Sequence, residues 1–145
     1  LFALSDILIL NETELSTYAG AALEADTPDE AIIAAARGLR RFDAQRLIVT
    51  LGGRGALALD AEGRGGAAPI RLTPRSANVV DTTGAGDCFC GALAARLASG
   101  AALASGAALA AALNFANAAA ALSVGKDGAA PSMPSRGEIE AALGG

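Results

Sequence analysis

"VVDTTGAGDCFCGAL", residues 79 to 93, runs from two β-branched residues through two acids, two threonines and two glycines into an apolar stretch with helical spacing. A chain that turns on glycine and enters a helix can aim the backbone N–H groups of Gly84, Ala85 and Gly86 at one spot, where the helix dipole favours negative charge. Such a spot suits an anion such as phosphate. Gly84 and Gly86 are expected to take φ values closed to other residues and to let a ligand touch the backbone. Asp87 lies at the edge of the same spot, as a carboxylate able to take a proton from a hydroxyl that attacks phosphorus. A carboxylate beside an anion hole is a phosphoryl-transfer layout. The letters "GAGD" alone also describe a tight turn with Asp87 as a helix cap, and both readings stand on the residues by themselves.

Working outward, the segment divides the chain into a strand-rich first part and a helical second part. "DILIL" (6–10) reads as a buried strand, and "ETELSTYAG" as a short helix closed by Gly20. "TPDEAIIAAARGLRRF" predicts a helix with Thr27 as N-cap, Pro28 at the first helical position, and Arg40 and Arg41 in the last turn. "RLIVTLGGRGALALD" predicts two strands, Leu47 to Leu51 and Ala56 to Asp60, joined hairpin-fashion by glycines. Further strands are expected at Ile70 to Leu72 and at Asn78 to Val80. From Asp87, the spacing of Phe89, Leu93 and Leu97 predicts a helix with Gly100 as its cap. An alanine-rich helix follows from Leu103 to Leu122, and Ser135 with Glu138 forms a capping-box pattern that opens a last helix to Leu143. The order β, α, α, β, β, β, β, α, α, α indicates an α/β layer fold.

Composition narrows the function. The 145 residues suffice for one domain with a real core; hydrophobic residues make up 52% and aromatics 3%, with roughly a quarter of the chain alanine, so the core is small and aliphatic. A net charge of -4 with scattered basic residues and few aromatics disfavours a nucleic-acid surface. The absence of histidine removes Ser-His-Asp and Cys-His catalysis and the usual zinc sites, leaving carboxylates for acid-base work. Cys88 and Cys90, two apart on a helix, point about 200° from each other and cannot pair. A reducing, cytoplasmic location follows as the expectation, with both thiols as packing residues or one made reactive by the helix N-terminus. Residues 101–124 have the length of a membrane span, but Ser105, Gly106, Asn114 and Asn117 interrupt it and make a buried helix the expectation. "TLGGRG" is neither a Rossmann fingerprint nor a P-loop, since a strand follows it and no Gly-Lys-Ser/Thr does.

The heptad "DTTGAGD" (81–87) resembles the second signature of the PfkB, or ribokinase-like, family of ATP-dependent sugar and nucleoside kinases. The resemblance implies a ribokinase-like three-layer α/β sandwich, of which residues 1–145 would be the C-terminal, nucleotide-binding half. The sugar-binding half and lid are then expected outside these residues, an expectation that the missing initiator Met shares. Within the resemblance Asp87 is the catalytic base, assisted by the anion hole of Gly84, Ala85 and Gly86. "NETE" resembles the family's N-x-x-E motif, in which Asn11 and Glu14 hold Mg²⁺, mostly through water, beside the ATP phosphates. A hydrated Mg²⁺ suits an amide and a carboxylate at a strand end, although the same letters are ordinary helix capping. The turn Thr50, Leu51, Gly52, Gly53, Arg54, Gly55 resembles the ATP-binding turn, and Asn117 matches an adenine-side position. A K⁺ ion is implied at Asp81 (side chain and carbonyl), at the carbonyls of Thr83, Ser123, Lys126 and Gly128, and at the Ser132 hydroxyl. Oxygen donors suit such a hard cation. Cys90 stands where the family pattern often has Asn.

The implied activity is transfer of phosphate from ATP to D-ribose, giving D-ribose 5-phosphate. Fructose, 2-keto-3-deoxygluconate or a nucleoside such as adenosine are the alternative acceptors, and a nucleotide-binding module without turnover is the alternative for the chain taken alone. The expected partners are the sugar and ATP, with no nucleic acid or membrane, and a homodimer at full length.

Overall fold

The computed structural model describes residues 2–61, 68–100 and 106–144 and divides into two compact units, Leu1–Thr73 and Pro74–Gly145. The first unit is built on four strands: β1 (Ile7–Asn11), β2 (Arg46–Thr50), β3 (Ala56–Leu59) and β4 (Ile70–Leu72), side by side in that order. β1 and β2 run parallel because two helices, α1 (Glu12–Ala19) and α2 (Asp29–Leu39), fill the connection between them. β2–β3 and β3–β4 are antiparallel, so the sheet is mixed. Alternation decides which side chains meet the helices. Leu8 and Leu10, Leu47 and Val49, Leu57 and Leu59 share one core with Leu15 of α1 and Ile32, Ala36 and Leu39 of α2. Leu15 and Ile32 are wholly buried, each removing a side chain worth about 1.5–3 kcal/mol from water. Gln45 is also buried, and its polar atoms are satisfied: Nε2 donates to the carbonyls of Phe2 and Ser5, each at 2.7 Å, and Oε1 accepts from the Arg41 amide.

The second unit is helical. α3 (Ala85–Ala98) packs along α4 (Gly106–Ser123), with a four-residue turn of helix α5 (Ala129–Ser132) and α6 (Arg136–Gly144) set against α4. Cys88, Phe115, Ala118, Ala119 and Ile139 form one core cluster in it, and the Arg96 guanidinium lies 6.0 Å from the Phe115 ring centre. The alanines of α4 let neighbouring helices approach closely.

The α/β class and most expected elements are present; β2, β3 and α3 end within a residue of their expected bounds, with Ser99 rather than Gly100 as the C-cap of α3, α5 stands where only a loop is expected, and larger differences follow. The first concerns Asn78–Val80, which pairs with no strand among the described residues. The Val80 and Asp81 amides both reach the Val124 carbonyl, at 2.7 and 3.2 Å, and β-branched propensity without a ladder partner does not make a strand. Helix α2 begins one residue later than expected: Pro28 is its N-cap without a side-chain bond, and the Thr27 hydroxyl accepts the Glu24 amide instead. It also ends at Leu39, so Arg37 occupies its last turn while Arg40 and Arg41 lie beyond it. The expected start of α4 at Leu103 lies outside the described residues, among which no helix is long and apolar enough to cross a membrane. Cys88 is buried and Cys90 exposed, on opposite sides of α3 as their spacing requires.

The capping box of α6 forms as expected. Glu138 Oε2 accepts the Ser135 amide at 2.7 Å and its hydroxyl at 2.8 Å, while the Ser135 hydroxyl accepts the Glu138 amide at 3.3 Å. These Ser135 bonds first, and the Lys126 ammonium second, lower the Glu138 pKa from 4.5 to about 2. Because the folded value is depressed, this contribution to stability is complete above pH 4.5 and is lost as pH falls towards 2. Comparing the thermal midpoints of the wild-type chain and Glu138→Gln should therefore show a gap at pH 6 that closes on acidification towards pH 2.

Candidate functional site

In the first unit, the parallel register sets Asn11 directly beside Thr50 at the C-terminal ends of β1 and β2. The "NETE" and "TLGGRG" motifs thereby share one end of the sheet, the end at which open α/β sheets bind ligands. Asn11 caps α1 in a full capping box: its Oδ1 accepts the Glu14 amide at 2.8 Å and Glu14 Oε2 accepts the Asn11 amide at 2.9 Å. Both side chains are exposed, and the capping box leaves Asn11 Oδ1 a second lone pair and does not use Glu14 Oε1. Among the described residues no three His, Cys, Asp or Glu side chains converge. The donors present therefore fit a Mg²⁺ that keeps most of its water rather than an ion caged by protein.

The turn after β2 folds on itself. The Leu51 amide donates to the Gly55 carbonyl at 2.8 Å, the Arg54 amide to Leu51 at 2.9 Å and the Gly55 amide to Gly52 at 3.0 Å. Gly52 and Gly53 are exposed, Thr50 and Arg54 are half-buried, and Leu51 and Gly55 are buried. The Arg54 guanidinium is engaged on both sides, Nη1 with the Thr27 carbonyl at 3.0 Å and Nη2 with the Glu12 carboxylate.

In the second unit, Gly84 is the N-cap of α3 at φ 78°, in the left-handed region. A Cβ there would stand 3.0 Å from the Ala129 Cβ and 3.2 Å from its Cα, so both conformation and space demand glycine. The expectation fails for Gly86, which has no positive φ, and a Cβ on it would meet nothing within 4 Å. Its bare backbone leaves open space outside the helix start. The anion-hole geometry shifts as well. The Ala85 amide is used inside the turn, donating to the Thr82 carbonyl at 3.2 Å. The following amides, Gly86 and Asp87, have no carbonyl one helical turn earlier to bond, because the helix has only begun.

Asp87 is exposed in the first turn of α3. It also lines a largely apolar cleft of about 240 Å³ with Cys88, Ala92, Phe115, Met133 and Ile139. Burial pushes the Cys88 thiol up, the reverse of activation.

The loop before α3 is tied to the loop after α4 by one carboxylate. Asp81 Oδ1 accepts the Thr83 amide at 2.9 Å and Oδ2 the Gly128 amide at 3.0 Å. The Thr83 side chain first, then the Thr83 and Gly128 amides, hold the Asp81 pKa below its usual value. The Lys126 amide donates to the Ser123 carbonyl at 3.1 Å. Ser123 and Ser132 are buried, and each hydroxyl donates to a backbone carbonyl, that of Ala120 at 2.9 Å and that of Ala129 at 2.7 Å, which leaves oxygen lone pairs as acceptors. The Lys126 ammonium bonds Glu138 at 3.1 Å, which occupies its charge. The donors are oxygens throughout, which fits a hard monovalent cation. Asn117 is half-buried in α4, nearly two turns before its end.

The model of the pfkB family of carbohydrate kinases matches residues 1–136. The chain belongs to the pfkB family. Its pfkB relatives include a ribokinase of Arabidopsis thaliana, 40% identical over 136 residues that make up 92% of this chain and 32% of that protein. The structure of Arabidopsis thaliana ribokinase complexed with ribose and ATP superposes with a TM-score of 0.81 at 36% identity, covering 99% of this chain and 42% of that one. A double mutant of the Vibrio cholerae O395 fructokinase, in fructose-, ADP- and potassium-ion-bound form, gives a TM-score of 0.78 at 26% identity over 97% of this chain and 41% of that one. The chain thus spans less than half the length of these pfkB proteins.

Several contacts around these pfkB motifs escape a reading of sequence: the Val124 carbonyl beneath Asp81, Ala129 against Gly84, and the Lys126–Glu138 and Arg54–Glu12 pairs. Only the extra acid in "NETE", Glu12, carried a signal. Gly84→Ala should destabilise the chain by about 1–3 kcal/mol, from left-handed strain and the clash with Ala129. Gly86→Ala, at a helical position with free space, should be neutral or stabilising by up to about 1 kcal/mol. Denaturant unfolding of the two variants against wild type measures both.

Proposed function

We propose that this chain is the nucleotide-handling, C-terminal part of an ATP-dependent sugar kinase that converts D-ribose to D-ribose 5-phosphate. The observation that carries the reading is Asp87, an exposed carboxylate in the first turn of α3, three residues after a left-handed glycine cap and beside first-turn amides with no intrahelical partner. In this reading the acceptor hydroxyl oxygen bonds to the γ-phosphorus as the bond from that phosphorus to the bridging oxygen of ADP breaks. The hydroxyl proton passes to an Asp87 carboxylate oxygen. The Gly86 and Asp87 amides face the charge that develops on the transferred group, while Gly84 and Ala85 hold the turn that aims them. Asn11 and Glu14 would hold the water of a Mg²⁺, which would supply neutralisation of phosphate charge, and the backbone from Thr50 to Gly55 would face the nucleotide. Asn117 serves the adenine side. Asp81, Thr83, Ser123, Lys126, Gly128 and Ser132 would hold K⁺, which would stiffen the Asp81–Gly86 loop.

The cleft beside Asp87 is lined mostly by apolar side chains, with Arg136 as its cationic group. In this reading the sugar's further contacts come from the part of the kinase that this chain, at 42% of the Arabidopsis enzyme's length, does not span. Ribose is favoured by the 40% identity to the Arabidopsis ribokinase and by the fit to that enzyme's ribose and ATP complex. Fructose is the second reading, favoured by the likeness to a fructokinase solved with fructose, ADP and potassium.

In the complete kinase, Asp87→Asn should lower turnover by about 10² to 10⁴ while ATP binding survives, because the amide keeps the shape and cannot accept the proton. ADP release coupled to ribose and fructose, with calorimetry for ATP, checks this. Activity within threefold of wild type would remove Asp87 as the base, and ribose-independent rates would remove the acceptor. At constant ionic strength K⁺ should activate above Na⁺ or Li⁺, and Asp81→Ala should abolish the difference.

A further inference from the structure

Glu12 and Arg54 join the two motifs at the sheet end by a route that strand pairing does not supply. Glu12 is the first residue of α1, next to the Asn11 cap and two before Glu14, and its carboxylate bonds Nη2 of Arg54. Arg54 closes the short turn Gly52–Arg54, donating its amide to the Leu51 carbonyl at 2.9 Å. Its Nη1 holds the Thr27 carbonyl at 3.0 Å, so one guanidinium spans the start of α1, the turn after β2 and the segment leading into α2. The pair is partly shielded, with side-chain exposures of 32% for Arg54 and 27% for Glu12. Pairs of this kind interact more strongly than fully exposed ones. The turn between Leu51 and Gly55 is closed by backbone bonds of its own, with Gly52 at φ 52° and Gly55 at φ 87°. Strand register sets Asn11 beside Thr50, and the Arg54 grip on Glu12 adds a side-chain tie between the turn and the start of α1.

We propose that Glu12 is a positioning residue for the nucleotide: acting through Arg54, it holds the Gly52–Gly55 turn in register with the Asn11 and Glu14 side chains. This rests on the kinase reading above and deepens it. It assigns Arg54 a positioning role distinct from direct contact with the phosphates: one N–H of each Nη group is held by a protein oxygen. The two ideas diverge in a double-mutant cycle. If Arg54 touched the nucleotide itself, releasing it from Glu12 would leave ATP affinity unchanged or improved. If the pair positions the turn, Glu12→Gln and Arg54→Lys should each weaken ATP to a similar extent and the double variant should be no worse than either.

The test uses the complete kinase, wild type and three variants: Glu12→Gln, Arg54→Lys and both together. The expected result is a rise in KM for ATP of about 3- to 10-fold in each single variant and in the double, with KM for the sugar unchanged and kcat within about twofold, as interaction energies of paired residues allow. Thermal midpoints close to wild type would show that the loss is one of alignment, not folding. A Glu12→Gln enzyme with wild-type KM for ATP overturns the inference, as do single-variant effects that simply multiply. Should the wild-type enzyme release no ADP with any sugar, the kinase reading itself fails and this inference with it; an active wild type with an unaltered Glu12→Gln fails the inference alone.

Discussion

The Asp81 carboxylate uses its two oxygens on two different loops, and the helical unit's candidate site depends on that division. One oxygen closes a turn over the Thr83 amide and the other reaches the Gly128 amide, so the segment entering α3 cannot shift without the loop leaving α4. Charge-assisted bonds to amides are about twice as strong as neutral ones, and here they act on backbone rather than on mobile side chains. With the two loops joined, Ala129 comes to rest against Gly84, and the left-handed cap that starts α3 has no room to relax into another conformation. The placement of Asp87 follows from that start, three residues along.

How much of this could be read in advance varied with the range of the interactions. Local patterns were legible: the Asn11–Glu14 and Ser135–Glu138 capping boxes, the Gly20 stop of α1, and the antiparallel pair around Gly52–Arg54 all lie within a few residues of their causes. Asn78–Val80 was misread because β-branched residues describe a strand only when a neighbour exists to pair with. The nearest acceptor is Val124, more than forty positions away in sequence. Gly86 was misread for a related reason. Two glycines in a turn look alike as letters, and only the path of the backbone distinguishes the one that must be left-handed from the one that leaves space. The side-chain ties of Arg54 and Lys126 depend on partners 42 and 12 positions away and had no local signal beyond the presence of an acid.

The N-x-x-E motif shows why residue types alone leave a function open. A helix start asks for an amide or hydroxyl acceptor followed three residues later by an acid. A hydrated divalent ion near phosphate asks for the same pair. Asn11 and Glu14 meet the first demand with one oxygen each, and the second lone pair of Asn11 Oδ1 and the Oε1 of Glu14 are the acceptors that could meet the second. The distinguishing feature is the register that sets Asn11 against Thr50 at the carboxyl end of a parallel pair. That feature belongs to the sheet, not to the motif.

The single Val124 carbonyl that receives the Val80 and Asp81 amides makes the length of α4 a constraint separate from its composition. Most of that helix is alanine, and many exchanges of side chain along its outer surface would pass unnoticed. A residue inserted between Asn117 and Ser123 would not, since it would rotate the Val124 carbonyl by about 100° and carry it about 1.5 Å along the axis. Both amides would then lose their acceptor together. The helix is thus free to drift in sequence while its count of residues stays fixed, much as a spacer is judged by its length rather than its material.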